Sequence, residues 1–413
     1  MVESIKHIFM RKGLRLSIYS VLIPMLLQFV YIRYVSYSVD EALYGNFILY
    51  VSFVSLIAAL IFSIPFAAIT RYINETSNKE AFINEFLTLL WPLNVIGLLI
   101  LYVYALYRDM DMEIFTYLAA YFILMSRYSM NKIIIFNLIK RKQYLYVSIF
   151  EKVARFIIPI SVFYFYQSDL ALIVGLSLGY AMLVGYTIVE SKTFKSKFIF
   201  SYRKVKIYFF YAYPVIFTAL ASWIISLSDR FFIDYFMDGA SVGIYSILSQ
   251  VSGFASIFGS IFTVYAQAII YKKYSEDKQI ALDMYLRYIK IMLFIFIVVY
   301  IIFLLLPKVV FTVLINPSII LNPDYFFIFN ILFFSAVLGV FVTISSHFFH
   351  LINKIYMLSF FWGIAAIVNL VGNLYIEDYG LVAASLSTLA SNAIVVLFMY
   401  LWLSRYHFKK LRG

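Results

Sequence analysis

The sequence predicts an all-α integral membrane protein with about twelve transmembrane helices in two six-helix lobes related by pseudo-twofold symmetry. Three observations carry that reading. Of 413 residues, 64% are hydrophobic and only 13% charged, against about 25% charged in soluble domains. The apolar residues fall in blocks of roughly 20, the length a helix needs to cross hydrocarbon. The gaps between blocks are basic and acidic by turns. Because Lys/Arg-rich loops stay in the cytoplasm, that alternation sets an orientation as well as a span count.

The first block follows Lys6, Arg11, Lys12 and Arg15 and runs from Leu16 to Val35. It is too long for a signal peptide, and no small-residue cleavage site follows it, so it reads as an uncleaved first span. The spans expected are 14–36, 44–68, 86–107, 114–139, 144–166, 170–190, 207–228, 242–270, 288–306, 324–350, 355–376 and 381–403. An acidic gap, Asp40-Glu41, precedes the second span, and Arg71 and Lys79 follow it. Asp109, Asp111 and Glu113 precede the fourth span, Lys140-Arg141-Lys142 the fifth and Asp169 the sixth. The central gap holds Lys192, Lys195, Lys197, Arg203, Lys204 and Lys206. Asp234 and Asp238 come next, then Lys272, Lys273 and Lys278. The connection from Pro307 to Asp324 contains the turn signals Asn316-Pro317 and Asn322-Pro323. Lys354, Glu377-Asp378 and the terminal Arg405, Lys409, Lys410 and Arg412 complete the alternation. Both termini are expected in the cytoplasm, and only Arg108 and Lys308 are basic on the opposite side.

Several function classes are excluded. Gaps no longer than about 20 residues leave no room for a catalytic domain outside the membrane. The net charge of +12 lies in short loops, so it reports orientation and not a nucleic-acid partner. With no cysteine there is no disulfide and no thiolate metal site. His347 and His350 have helical spacing but no acid nearby, so no metal or cofactor is expected. Walker motifs and nucleophile elbows are missing, which argues against an ATP site and against an enzyme.

The chain also looks internally repeated. Asp40-Glu41-Ala42-Leu43-Tyr44-Gly45 recurs as Asp238-Gly239-Ala240-Ser241-Val242-Gly243, each after a span with an early proline, Pro24 or Pro214. Asp169-Leu170-Ala171-Leu172 resembles Asp378-Tyr379-Gly380-Leu381. Halves with an even number of spans share one orientation, which makes the repeat parallel, about an axis along the membrane normal. The seam falls in the central basic gap and divides the chain into lobes 1–196 and 197–413.

Ionisable residues inside spans cost about 2.5–3.5 kcal/mol each at mid-membrane and mark functional sites. Arg127 and Lys132 lie in the fourth span, and Glu151, Lys152 and Arg155 in the fifth. One acid cannot neutralise four bases. The functional reading is a cationic cavity, lined by Arg127, Lys132, Lys152 and Arg155, that receives an anionic substrate. The structural reading is that Glu151 and Arg155, spaced i,i+4, neutralise each other. Glu151 and the shallower Asp229 are the candidates for ion coupling or charge pairing. Arg33, Asp229 and Arg230 fall near outer span ends, where snorkelling, an Asp229–Arg partnership or, for Arg33 and Arg230, the outer mouth of such a cavity accounts for them.

Four stretches carry a family resemblance. They are Leu14 to Arg71, ending in Pro65-Phe66-Ala67-Ala68-Ile69-Thr70-Arg71; Lys140-Arg141-Lys142-Gln143-Tyr144; Ser228-Asp229-Arg230-Phe231-Phe232-Ile233-Asp234 with Val242-Gly243-Ile244-Tyr245-Ser246; and Ile367-Val368-Asn369 through Tyr379-Gly380-Leu381 to Thr388. With these the chain resembles the polysaccharide flippases of the multidrug/oligosaccharidyl-lipid/polysaccharide exporter superfamily. The resemblance implies two lobes around a central cavity, alternating access and a bacterial inner-membrane location. Its implied cargo is a polyprenyl-pyrophosphate-linked oligosaccharide such as an O-antigen repeat unit. The partners it implies are membrane lipids and the polymerase and chain-length proteins of the same pathway, with no nucleic acid. Transport would be driven by the membrane potential or by an H+ or Na+ gradient, with no cofactor. A drug exporter of the same superfamily and a membrane-embedded glycan polymerase are the alternatives. The first would favour acids in the cavity, and the second a large outer loop.

Overall fold

Backbone polar groups in hydrocarbon must be satisfied within their own segment, so apolar blocks of this length fold as helices. The computed structural model describes residues 12–138, 141–191, 202–256, 270, 273–274, 276–352 and 354–411, and they form helices and turns with no strand among them. The seam expected at 196/197 lies outside the described residues, as do Lys6, Arg11, Lys140, Lys192, Lys195, Lys197, Lys272 and Arg412.

The helices are α1 (Lys12–Ser38), α2 (Glu41–Tyr72), α3 (Lys79–Tyr107), α4 (Met112–Asn137), α5 (Arg141–Lys152), α6 (Ile158–Tyr166), α7 (Asp169–Ser191) and α8 (Tyr202–Trp223). They continue as α9 (Asp229–Phe236), α10 (Gly239–Ser252), α11 (Lys278–Leu305), α12 (Lys308–Phe311), α13 (Pro317–Ile320), α14 (Pro323–Leu351), α15 (Ile355–Asn373) and α16 (Ile376–Leu411). Among the described residues two π turns interrupt this regularity: Val153–Ile157 joins α5 to α6, and Ile224–Ser228 joins α8 to α9. Polar residues of the gaps start several helices. Asp40, Asn78, Asp238 and Asp277 each accept a hydrogen bond from a backbone N–H of the first turn, as N-caps do.

Among the described residues, eight helices are long and apolar enough to cross a membrane: Glu41–Tyr72, Lys79–Tyr107, Leu170–Ser191, Val215–Phe236, Lys278–Leu305, Pro323–Phe349, Tyr356–Asn373 and Ile376–Trp402. The other expected blocks are helical as α1, α4, the run 141–166 and α10. Of these, α4 and 141–166 carry the ionisable residues Arg127, Lys132, Glu151, Lys152 and Arg155.

The chain divides into two compact units, one formed by Met1–Val35 with Asn46–Trp223, the other by Ser36–Gly45 with Ile224–Gly413. In the first, α4 lies along α7, which also receives α6 and the first π turn. Phe62 and Phe122, both fully buried, anchor its core, their rings 5.5 Å apart. In the second, α16 packs along both α15 and α14, and Tyr285, Met292, Phe296, Phe341 and Ile344 form the buried seam between α11 and α14.

The repeated motif has a structural role in the second unit. A Cβ on Gly45 would run into the carbonyl oxygen of Gly239, and one on Gly243 into that of Glu41. The starts of α2 and α10 therefore meet backbone to backbone, each admitted by the other's glycine, as small residues allow between membrane helices. Gly243→Val is expected to cost about 1–3 kcal/mol through overpacking. The check is the melting temperature of purified protein against Gly339→Val, where the added Cβ meets open space. Equal melting of the two variants would disprove the close contact.

Candidate functional site

The ionisable cluster lies wholly in the first unit, on α4 and the run 141–166, against α7. Tyr121, Tyr128 and Lys132 share one face of α4, at spacings of two turns and one turn. The helix is fixed in rotation by buried polar contacts. The Ser126 hydroxyl donates to Asn94 Oδ1 at 2.9 Å, and Asn131 Nδ2 donates to Thr187 Oγ1 of α7 at 3.3 Å. Tyr180 of α7 meets Tyr121 and Tyr128 edge-on, with ring centroids 5.0 and 5.6 Å away. All three tyrosines are buried.

Lys132 Nζ donates to Glu151 Oε2 at 2.5 Å. The ammonium also lies 5.7 Å from the Tyr128 ring centroid and 5.9 Å from that of Tyr144. The Tyr128 hydroxyl approaches the same carboxylate. Glu151 therefore takes its ion-pair partner from the neighbouring helix and not from Arg155, the partner its i,i+4 spacing suggested. The cause is the π turn. Ile158 N–H bonds back to the Val153 carbonyl, five residues earlier, which widens the helix and breaks the regular stacking of positions four apart. Pro159, without an N–H, cannot restore the α pattern.

Arg155 sits within that turn and is exposed. Its guanidinium lies 5.9 Å from the Phe156 ring centroid and within electrostatic reach of Tyr180, Tyr121, Glu151 and Tyr31. Lys152 stands one turn before it, 5.2 Å from the same ring. Among the described residues neither Lys152 nor Arg155 has a carboxylate at ion-pair distance. Arg127 is half-buried on α4, five residues before Lys132. The arrangement offers ring faces and hydroxyls around Lys152 and Arg155, neither of which has a carboxylate at ion-pair distance among the described residues. Its chemistry suits an anion with several oxygen acceptors.

The other expected site residues lie elsewhere. Arg33 is exposed on α1. Arg230, expected at an outer mouth, is instead buried in the second unit. It donates to Asp229 Oδ1 at 3.1 Å, to the Ser226 carbonyl at 2.7 Å and to Ser246 Oγ at 3.2 Å. Asp229 is buried with it, so the pair holds the turn around the second π segment together. Beside it runs a network the charge pattern did not reveal. Asn373 Nδ2 donates to Ser228 Oγ and Asn369 Oδ1 at 3.3 and 3.2 Å, and Ser387 Oγ donates to Asn373 Oδ1 at 2.5 Å. The available signal was two amides four residues apart in an apolar span. Among the described residues no group of three or more His, Asp or Glu is placed to hold a metal ion.

A family model described as "Polysaccharide biosynthesis protein" matches residues 10–271. The chain belongs to that family. No curated protein matches it. In fold this family member is similar to solved transporters of the MOP superfamily. An inward-facing multidrug resistance MATE transporter matches with a TM-score of 0.71 at 15% identity, over 96% of this chain and 99% of that one. The lipid II flippase MurJ, in an inward closed conformation, matches with 0.72 at 14% identity, over 94% and 86%. A Pyrococcus furiosus transporter, whose pocket is described as reversed in polarity, matches with 0.66 at 14% identity, over 97% and 95%. The chain thus shares its fold with these transporters.

Proposed function

We propose that this protein is a flippase that moves polyprenyl-pyrophosphate-linked oligosaccharide from the cytoplasmic to the outer leaflet of a bacterial inner membrane. The observation that carries the reading is the pair Lys152 and Arg155, on neighbouring turns of the run 141–166 and with no carboxylate at ion-pair distance among the described residues. Uncancelled cations at membrane depth are costly unless they serve an anion. Membership of the polysaccharide biosynthesis family supports a glycan cargo. The head group cannot cross hydrocarbon unaided, because burying its charges and hydroxyls without partners costs several kcal/mol or more per group. Twelve spans in lobes 1–196 and 197–413, with both termini inside, would expose the site alternately to the two sides. The repeat-unit polymerase and chain-length proteins would take the product. Outward movement of negative charge runs with an inside-negative potential, worth about 2.3 kcal/mol per charge per 100 mV.

The test is glycan display and lipid-linked precursor content in a null strain, with and without the wild-type gene. The expected result is lost display with precursor held on the inner leaflet, both restored by complementation. A null strain with normal glycan refutes the assignment and favours drug export. Glu151→Gln separates the energy sources: display within about twofold of wild type is expected if the potential drives transport, because the pair with Lys132 is then structural. A dependence of transport on an imposed H+ or Na+ gradient, lost in Glu151→Gln, would assign the coupling to that carboxylate.

A further inference from the structure

The second unit contains a cavity of about 260 Å³, lined by side chains of the second π turn, α9, α10, α14, α15 and α16. Its character is the opposite of the cationic cluster. Among the described residues no Lys or Arg lines it, and the one carboxylate, Asp229, is already paired with Arg230. Hydroxyls and amides make up its polar wall, chiefly Tyr245, Ser335, Thr388 and Asn392, and Trp362 supplies an aromatic surface. Asn392 Nδ2 donates to Ser335 Oγ at 3.0 Å, which leaves the amide oxygen and the serine proton for a ligand. Thr388 Oγ1 donates to the Ala384 carbonyl at 3.1 Å, leaving its lone pairs. The Tyr245 hydroxyl is fully buried and near Asp229 and Thr388, yet closes no hydrogen bond of normal geometry among the described residues.

A buried polar group left unpaired costs about 1–3 kcal/mol, and polar groups within a membrane bundle face one another or a hydrated cavity. This cavity has both donors and acceptors to offer and no net charge to attract an anion. Its volume lies just under the roughly 300–1,000 Å³ of drug-sized pockets, which suits one small ring. We infer that this cavity binds an uncharged sugar ring through its hydroxyls, with Trp362 against the apolar face of the ring. The inference rests on the flippase reading for its choice of ligand.

The full-length protein is placed in lipid nanodiscs prepared without glycoside detergents. Tryptophan fluorescence is then followed while free hexoses, N-acetylhexosamines, inorganic pyrophosphate and Na+ are added separately. A saturable response to at least one neutral sugar is expected, lost in Trp362→Phe and unchanged in Arg155→Ala. The isosteric Thr388→Val and the variant Asn392→Leu should each weaken it about tenfold, the value of one hydrogen bond. Silence toward every sugar overturns the inference, as does a Trp362-dependent response to Na+ or pyrophosphate. Glycan display reads the flippase assignment separately. Lost display in Arg155→Ala with normal display and unaltered sugar response in Thr388→Val and Asn392→Leu refutes the cavity alone. A null strain with normal glycan refutes the flippase and leaves sugar binding to stand or fall by fluorescence.

Discussion

Arg155→Ala is expected to abolish glycan display while the protein still reaches the membrane in normal amount. The side chain is exposed and has no carboxylate at ion-pair distance among the described residues, so its removal opens no core and strands no buried acid. What it removes is a planar fork of donors matched to phosphate oxygens. Each charge-assisted hydrogen bond to such a group contributes about 1.5–3 kcal/mol, so losing a bidentate pair should cut flux by roughly a hundredfold or more. Arg155→Lys keeps the charge and loses the fork, and should fall between, at about a tenfold loss. The measurement is surface glycan together with inner-leaflet lipid-linked repeat units, at matched protein levels by immunoblot. If Arg155→Ala displays glycan as wild type does, the cationic cluster is not the substrate site.

The apolar blocks were legible because hydrocarbon forces one local solution on the backbone. Blocks 44–68 and 86–107 reappear within Glu41–Tyr72 and Lys79–Tyr107, extended by the polar turns that cap them. The candidate cations were legible for the same reason, since a charge stands out in an apolar span. Their partners were not. Glu151 reaches Lys132 across 19 positions of sequence, and nothing in α5 alone could rank that contact above Arg155. The π turn that decides the matter depends on what α7 presents to it, which is a tertiary fact. Tyr121, Tyr128 and Tyr180 were hidden among 37 tyrosines, and only packing separates these from rings that face lipid. Arg230 had three readings open in the sequence: snorkelling, a partnership with Asp229, and the mouth of a cavity. The structure has the partnership with Asp229, and Ser226 with Ser246 of α10 complete the contacts, which position along the span alone did not reveal. The Asp–Gly repeat was visible, but the backbone contact that requires Gly45 and Gly243 is a matter of three-dimensional approach.

Gly179→Ala is expected to weaken both the fold and transport, although glycine lines no site. A Cβ there would run into the Ala154 carbonyl oxygen, and one on Gly175 into the backbone of Pro159. Gly175 and Gly179 thus lie one turn apart on α7 and receive the two ends of the segment that contains the π turn and Arg155. Backbone atoms cannot swing aside as a side-chain tip can. An added methyl must push the helices apart or press the widened turn into another geometry, at about 1–3 kcal/mol. Either response moves Arg155 relative to Tyr121 and Tyr180, which stay anchored on α4 and α7. Gly179→Ala should therefore lower the melting temperature of the purified protein and weaken pyrophosphate binding about tenfold, with every cation still present. Gly185→Ala on the same helix, where the added Cβ meets nothing within 4 Å, should leave both unchanged. A Gly179→Ala protein that melts lower but binds pyrophosphate normally would mean that α7 supports the fold without aiming Arg155. Loss of binding in Gly179→Ala, with Gly185→Ala intact, would show that anion recognition depends on how closely α7 approaches the π turn as well as on charge.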